Sequence, residues 1–224
     1  MYKLRLFILL IIAFNIKLNA QNMVHLCEGE NHNFGVPFTN GSVYNWQVQN
    51  STIAIITSGN GTEHITLDLN NPGVFQLLVE EVDVNGCNGY DSILVEIHAL
   101  PNPSILALGP ISFCEGDSVL LQLDSNYVSN IWNNGIDLTY TYIDSTGNYF
   151  ATVIDTNGCS NTSNYIYVDV NQNPIADYII DGVCLNSPTT FINNSNLQSG
   201  NISTLIWYLG NGEVLNGDSV TYTY

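Results

Sequence analysis

The chain has 224 residues, 45% of them hydrophobic and only 10% charged, with 20 acidic side chains against 3 Lys and Arg and a formal charge of -17. The three cations are Lys3, Arg5 and Lys17, so everything beyond residue 17 lacks both residue types. A phosphate backbone cannot be neutralised without cationic side chains, which excludes nucleic acid as a partner, and an anionic membrane surface repels such a chain.

Residues 1–20 read as a secretory signal. Lys3 and Arg5 supply the positive start, Leu6 to Phe14 the apolar stretch, and Leu18-Asn19-Ala20 a cleavage site before Gln21. The apolar stretch is about half of what a bilayer crossing requires. The mature chain is therefore expected to be exported and to begin at Gln21. Its acidity reads first as solubility, with divalent cations bridging carboxylates as the sharper alternative.

From there a cassette recurs. It runs Cys27-Glu28-Gly29-Glu30, Trp46, Gly73-Val74-Phe75 and Asn85-Gly86-Cys87, and then Cys114-Glu115-Gly116-Asp117, Trp132, Gly147-Asn148-Tyr149 and Asn157-Gly158-Cys159. A third copy opens at Cys184 and reaches Trp207. Self-similarity of this kind marks small modules in a row. Within the first copy, Tyr44, Trp46 and Val48 alternate with polar residues. Ile65, Leu67 and Leu69 do the same, as do Phe75, Leu77 and Val79, and Ile93, Val95 and Ile97. The second copy repeats the pattern at Tyr149, Ala151 and Val153 and at Ile166, Val168 and Val170. Period-two alternation between Asn, Gly, Asp and Pro turns predicts an all-β protein of tandem sandwiches. Ala99-Leu100-Pro101-Asn102-Pro103 and Asn171-Gln172-Asn173-Pro174 read as short, stiff linkers, so the modules are pictured as a semi-rigid row of beads.

Five cysteines in an exported chain point to disulfides. The two-plus-two-plus-one arrangement suggests Cys27 with Cys87 and Cys114 with Cys159, each inside its own module. Such bridges would stabilise each module by about 4 kcal/mol in the chain-entropy picture. Cys184 is left over, with its partner expected beyond Tyr224. Trp46, Trp132 and Trp207 share one repeat position and are expected in the cores.

Reactive chemistry is hard to find. His25, His32, His64 and His98 sit in no Ser, Cys or Asp constellation, and no phosphate loop or dinucleotide fingerprint occurs. Glu80 and Glu81 are neighbours on a strand and face opposite ways. His25, Cys27 and His32 cluster in sequence but lack a second ligand pair at zinc-like spacing. His98 continues the outward face of a strand and reads as solvated. Asp83-Val84-Asn85-Gly86 and Asp155-Thr156-Asn157-Gly158 read as hairpin turns, with a partial calcium loop as the alternative. No catalytic, cofactor or metal residues are assigned, and calcium alone stays open as a cofactor. Tyr140, Tyr142, Tyr165 and Tyr167 are the best surface candidates for stacking on a sugar.

The Cys-Glu-Gly-acid opening, central Trp, Gly-x-aromatic strand and Asn-Gly-Cys closure resemble the immunoglobulin-like and PKD-like modules of Bacteroidota surface proteins. Trp207-Tyr208-Leu209-Gly210-Asn211-Gly212 is similar to the Trp-x-Phe-Gly-Asp-Gly signature of a PKD repeat, with Leu209 and Asn211 as departures. Thr190 to Ser195 and Tyr222-Thr223-Tyr224 resemble flanking PKD strands. The resemblance implies a PKD-like or Ig-like sandwich over 21–99, an Ig-like sandwich over 104–171, and a PKD module over 174–224 that lacks its last strands. It also implies a non-catalytic structural or adhesive array, secreted or displayed at the cell surface, with type IX secretion as the family's usual route. The protein or glycan partner is not named by the motifs. The alternative is an accessory, carbohydrate- or protein-binding region of a larger secreted hydrolase.

Overall fold

The computed structural model describes residues 23–184 and 186–224; the signal reading over 1–20 lies outside them. Every regular element among these residues is a β-strand. The chain divides into two units, one running to Leu100 and including Thr156–Cys159, the other holding the remainder.

The first unit contains β1 (Val24–Cys27), β2 (Asn31–Gly35), β3 (Val43–Val48), β4 (Ala54–Ser58), β5 (His64–Leu69), β6 (Gly73–Val82) and β7 (Asn88–His98). They form two sheets, in the orders β1-β7-β6-β3 and β2-β5-β4. Alternation does the sorting. Tyr44 and Trp46 of β3 point inward while Val43, Asn45 and Gln47 face solvent. Ile65, Leu67 and Leu69 from one sheet meet Trp46, Phe75, Leu77, Val79, Val95 and Ile97 from the other in a single core. Two sheets sharing one apolar interior make a sandwich. β6 and β7 form a long hairpin, antiparallel from Gly73↔Ile97 to Val82↔Asn88, and β1 lies parallel to the far end of β7.

The second unit carries β8 (Ile105–Ala107), β9 (Ser112–Cys114), β10 (Val119–Leu123), β11 (Ser129–Trp132), β12 (Tyr140–Ile143), β13 (Gly147–Tyr149), β14 (Ala151–Ile154), β15 (Ser160–Thr162) and β16 (Ile166–Asn171). Its three small sheets, β12-β10-β8, β11-β14-β15 and β13-β16-β9, surround a core of Ile105, Val119, Leu121, Leu123, Trp132, Ile143, Tyr149, Ala151, Val153 and Val168. Where β6 runs unbroken, its counterpart is split at Phe150 into β13 and β14. Ser163, buried opposite the break, accepts the Ala151 N–H on its hydroxyl at 3.0 Å and donates to the Asn164 carbonyl at 2.8 Å. A side chain thereby fills a gap in the ladder that would otherwise leave a buried donor unpaired.

The same unit continues through β17 (Tyr178–Asp181), β18 (Thr189–Asn193), β19 (Ile206–Tyr208), β20 (Val214–Asn216) and β21 (Ser219–Tyr222), arranged as a β17-β18-β21 sheet and a β19-β20 hairpin. Trp207 lies between Tyr178 and Phe191, at ring-centroid distances of 6.0 and 5.9 Å, and is only half-buried. Among the described residues of this region, Leu209, Val220 and Thr189 are buried.

The three indoles share one polar device. Trp46 Nε1 donates to the Thr62 carbonyl, Trp132 Nε1 to that of Leu138 and Trp207 Nε1 to that of Gly217, each at 2.8 Å. A fixed acceptor offsets the desolvation of an indole N–H and sets the ring's tilt. Trp46 and Trp132 are 5% and 1% exposed.

The cysteine pairing differs from the sequence expectation. Cys27 is bonded to Cys159, while Cys87, Cys114 and Cys184 are free and exposed. Strand geometry rules out Cys27–Cys87. Cys27 stands opposite His98 at the end of β7, and Cys87 precedes Asn88 at its start. Eleven residues of strand separate those two levels by about 36 Å at roughly 3.3 Å per residue, whereas bridged Cα atoms lie within about 7 Å. The second copy repeats this layout, with Cys114 opposite Asn171 at the end of β16 and Cys159 just before β15. Opening and closing cysteines therefore sit at opposite ends of each copy. The Cys27–Cys159 bond instead draws Thr156–Cys159 into the first unit and closes a covalent loop with a sequence separation of 132. In the chain-entropy model a loop of that size stabilises by about 5 kcal/mol.

Peptide mapping without reduction is expected to recover a Cys27–Cys159 cross-linked pair and alkylatable Cys87 and Cys114; a Cys27–Cys87 or Cys114–Cys159 peptide contradicts the strand register. In urea unfolding, Trp132→Ala is expected to cost about 3–5 kcal/mol, and Trp207→Ala clearly less because that ring is already half in solvent.

Candidate functional site

The repeated Cys-Glu-Gly-acid motif is a strand terminus. Glu28 N–H extends the parallel ladder by donating to the His98 carbonyl at 3.0 Å, and Glu115 N–H does the same to that of Asn171 at 2.8 Å. Gly29 (φ +77°) and Gly116 (φ +102°) then turn the chain in a conformation that side chains disfavour. The Glu28 carboxylate accepts the Leu100 N–H at 3.0 Å, tying down the segment that follows β7.

Asn-Gly-Cys closes a hairpin. Asp83 Oδ1 accepts the N–H groups of Asn85 and Cys87, each at 2.8 Å, and Oδ2 accepts the Asn85 side-chain amide at 3.2 Å. These donors, Cys87 N–H foremost and then the Asn85 amide, hold the Asp83 carboxyl below its ordinary range. Both carboxylate oxygens thus serve the turn, which is the tight-turn reading of this segment. Glu81 on β6 is likewise held low, first by the Thr39 hydroxyl.

A convergence of ligating groups lies on the outer face of the β1-β7-β6-β3 sheet. Parallel pairing sets His25 of β1 opposite Glu96 of β7, and His98, two residues on, projects from the same face as Glu96. His25 Nδ1 lies 3.1 Å from His98 Nε2 and 3.2 Å from Glu96 Oε2, and His98 Nε2 lies 3.9 Å from Glu96 Oε2. The two rings stack at 5.3 Å with an interplanar angle of 14°. The His98 side chain is only 17% exposed, against 55% for His25, which corrects its reading as a solvated residue.

The sequence grouping of His25, Cys27 and His32 does not survive. Cys27 is consumed by the disulfide, and His32 stands on β2 opposite Leu67, tilted against Phe34. The Glu96-x-His98 spacing was a usable signal, since alternate strand residues share a face. The missing fact was which strand lies beside β7. His64, at the start of β5, neighbours Glu63 at 3.5 Å, and its own side chain is well exposed.

The four surface tyrosines do not form one platform. Tyr140 and Tyr142 belong to β12, alternate with the buried Thr141 and Ile143, and meet edge to face at 6.3 Å. Tyr165 packs edge to face on Phe150 at 5.1 Å, and Tyr167 pairs with Asn148 in a different sheet. Tyr142 is 65% exposed, and Leu106 and Leu108 are also open to solvent.

No family model matches the chain, and no curated protein matches it. Among solved structures it is similar to mouse nectin-like molecule 4, full ectodomain Ig1–Ig3, at 11% identity and TM-score 0.36 over 90% of this chain and 86% of that one. Murine CEACAM1b aligns at 17% identity and TM-score 0.32, over 65% of this chain and 95% of that one. Bacteroides ovatus SGBP-B, of a mixed-linkage glucan utilization locus and solved with a mixed-linkage heptasaccharide, aligns at 15% identity and TM-score 0.29, over 89% and 55%. Likenesses this distant carry no argument about what the chain binds or does. Among the described residues no helix is long and apolar enough to cross a membrane.

A carboxyl held low in the folded state stabilises at neutral pH and loses that contribution as pH falls through the depressed value. Asp83→Asn is therefore expected to lower the melting temperature at pH 7, with the gap to the parent closing below pH about 4, where unfolded aspartate protonates. A gap unchanged at pH 2 contradicts the role given to Asp83.

Proposed function

We propose that the chain is a non-catalytic extracellular array of β-sandwich modules, secreted or displayed at the cell surface, with a structural or adhesive role. The observation that carries this reading is the Cys27–Cys159 disulfide, which joins the opening cysteine of one repeat to the closing cysteine of the next. Disulfides form and persist chiefly in oxidising compartments. This one spends covalent stability on the continuity of the array rather than on a single fold. The absence of Lys and Arg beyond residue 17 fits a surface built to stay hydrated and to avoid polyanions. Modules of this kind on Bacteroidota surface proteins exported by type IX secretion are the natural setting for the cassette.

Tyr140 and Tyr142, side by side and exposed on β12, favour a second reading: the array, or an enzyme carrying it, holds a polysaccharide by aromatic stacking. Three experiments test these readings. An antibody against the second sandwich is expected to label intact, unpermeabilised producer cells, and a deletion strain is expected to lose attachment to surfaces. A chain retained inside the cell overturns the proposal. On a glycan array, saturable binding that Tyr142→Ala weakens at least tenfold turns the assignment to the carbohydrate-binding reading.

A further inference from the structure

We propose that His25, Glu96 and His98 form a binding site for a borderline divalent transition ion of the zinc class. Three lone-pair-bearing atoms, two imidazole nitrogens and one carboxylate oxygen, converge with edges of 3.1, 3.2 and 3.9 Å. Ligands at about 2.0–2.1 Å from a tetrahedral zinc ion stand about 3.3–3.4 Å apart, so these edges bracket one face of its coordination polyhedron. Two imidazoles and one carboxylate form a donor set suited to zinc and its first-row neighbours. Calcium is a poor match, since it takes six to eight oxygen ligands.

The fold supplies this geometry on strands rather than on a loop. Glu96 and His98 are alternate residues of the long β7, and His25 is held in register by the parallel ladder at Val24↔Val95 through Cys27↔His98. Immediately beyond the site the chain is fixed by the Cys27–Cys159 bond and by Glu28 on Leu100. Ligands on paired strands are already placed before the ion arrives, which lowers the ordering cost of binding. Without an ion, His25 Nδ1 and His98 Nε2 can share only one proton between them. Binding uses the lone pairs of both nitrogens, with each neutral ring carrying its one N–H on the other nitrogen, His25 Nε2 and His98 Nδ1, so the shared proton moves within its ring and none is released overall. The chain supplies three ligands, which leaves a fourth for water or for a group from another molecule. Twenty carboxylates with no Lys or Arg beyond residue 17 give a field that draws cations to such a site.

The test uses the chain beyond residue 20 with Cys27–Cys159 intact and the exposed thiols alkylated, so that cysteine ligation cannot contribute. Titration with Co²⁺, followed by its d–d absorption and by Zn²⁺ competition, is expected to show one ion per chain. Binding is expected to weaken at least tenfold in His25→Ala and in His98→Ala and to be unchanged in His32→Ala and His64→Ala. Zn²⁺ is expected to raise the melting temperature of the parent but not of His25→Ala, which removes the more exposed ring and leaves the core untouched. No saturable binding, or binding that His25→Ala leaves intact, overturns the assignment.

Discussion

The parallel pairing of β1 with β7, echoed by β9 with β16, is the constraint from which most else follows. A chain that enters beside the end of its last strand, rather than its start, places its opening cysteine at one end of the sandwich. The closing cysteine, in the hairpin before β7 or β15, is then left at the other. That single topological choice forbids an internal clasp. It frees Cys27 for Cys159 and sets His25 opposite Glu96. The Glu-Gly that follows each opening cysteine extends the same ladder by one bond and then turns the chain away.

Within the sandwiches, apolar alternation and one polar rule account for the interior. Large side chains of both sheets interlock, and the one polar group each tryptophan brings inward is matched by a backbone carbonyl. The split of the long strand at Phe150 tests that rule, because ladder groups are orphaned there, and Ser163 supplies the missing partner. The region around Trp207 uses the same indole device with far less apolar cover, so the aromatic trio of Tyr178, Phe191 and Trp207 substitutes for a closed core.

Much of this was legible before any coordinates. Period-two runs such as Ile65-x-Leu67-x-Leu69 and Phe75-x-Leu77-x-Val79 carry their own burial pattern, and the all-β class follows from them. The Asp83 turn was readable because Asn and Gly at fixed offsets have a local reason to be there. Disulfide pairing was not legible, since repeat spacing records which cysteines are equivalent and not which are close. The same limit hid the histidines. His25 and His98 are 73 residues apart, and only the partner of β7 brings them together. Local chemistry travels in sequence, while adjacency across a parallel ladder does not.

The Cys27–Cys159 bond also changes what damage means for this molecule. A protease that cuts anywhere between those cysteines, including the Pro-containing stretch after β7, severs the backbone but releases no fragment. Both halves stay on one covalent thread, and only a reductant separates them. In the extracellular setting proposed above, a nick becomes a wound the molecule survives.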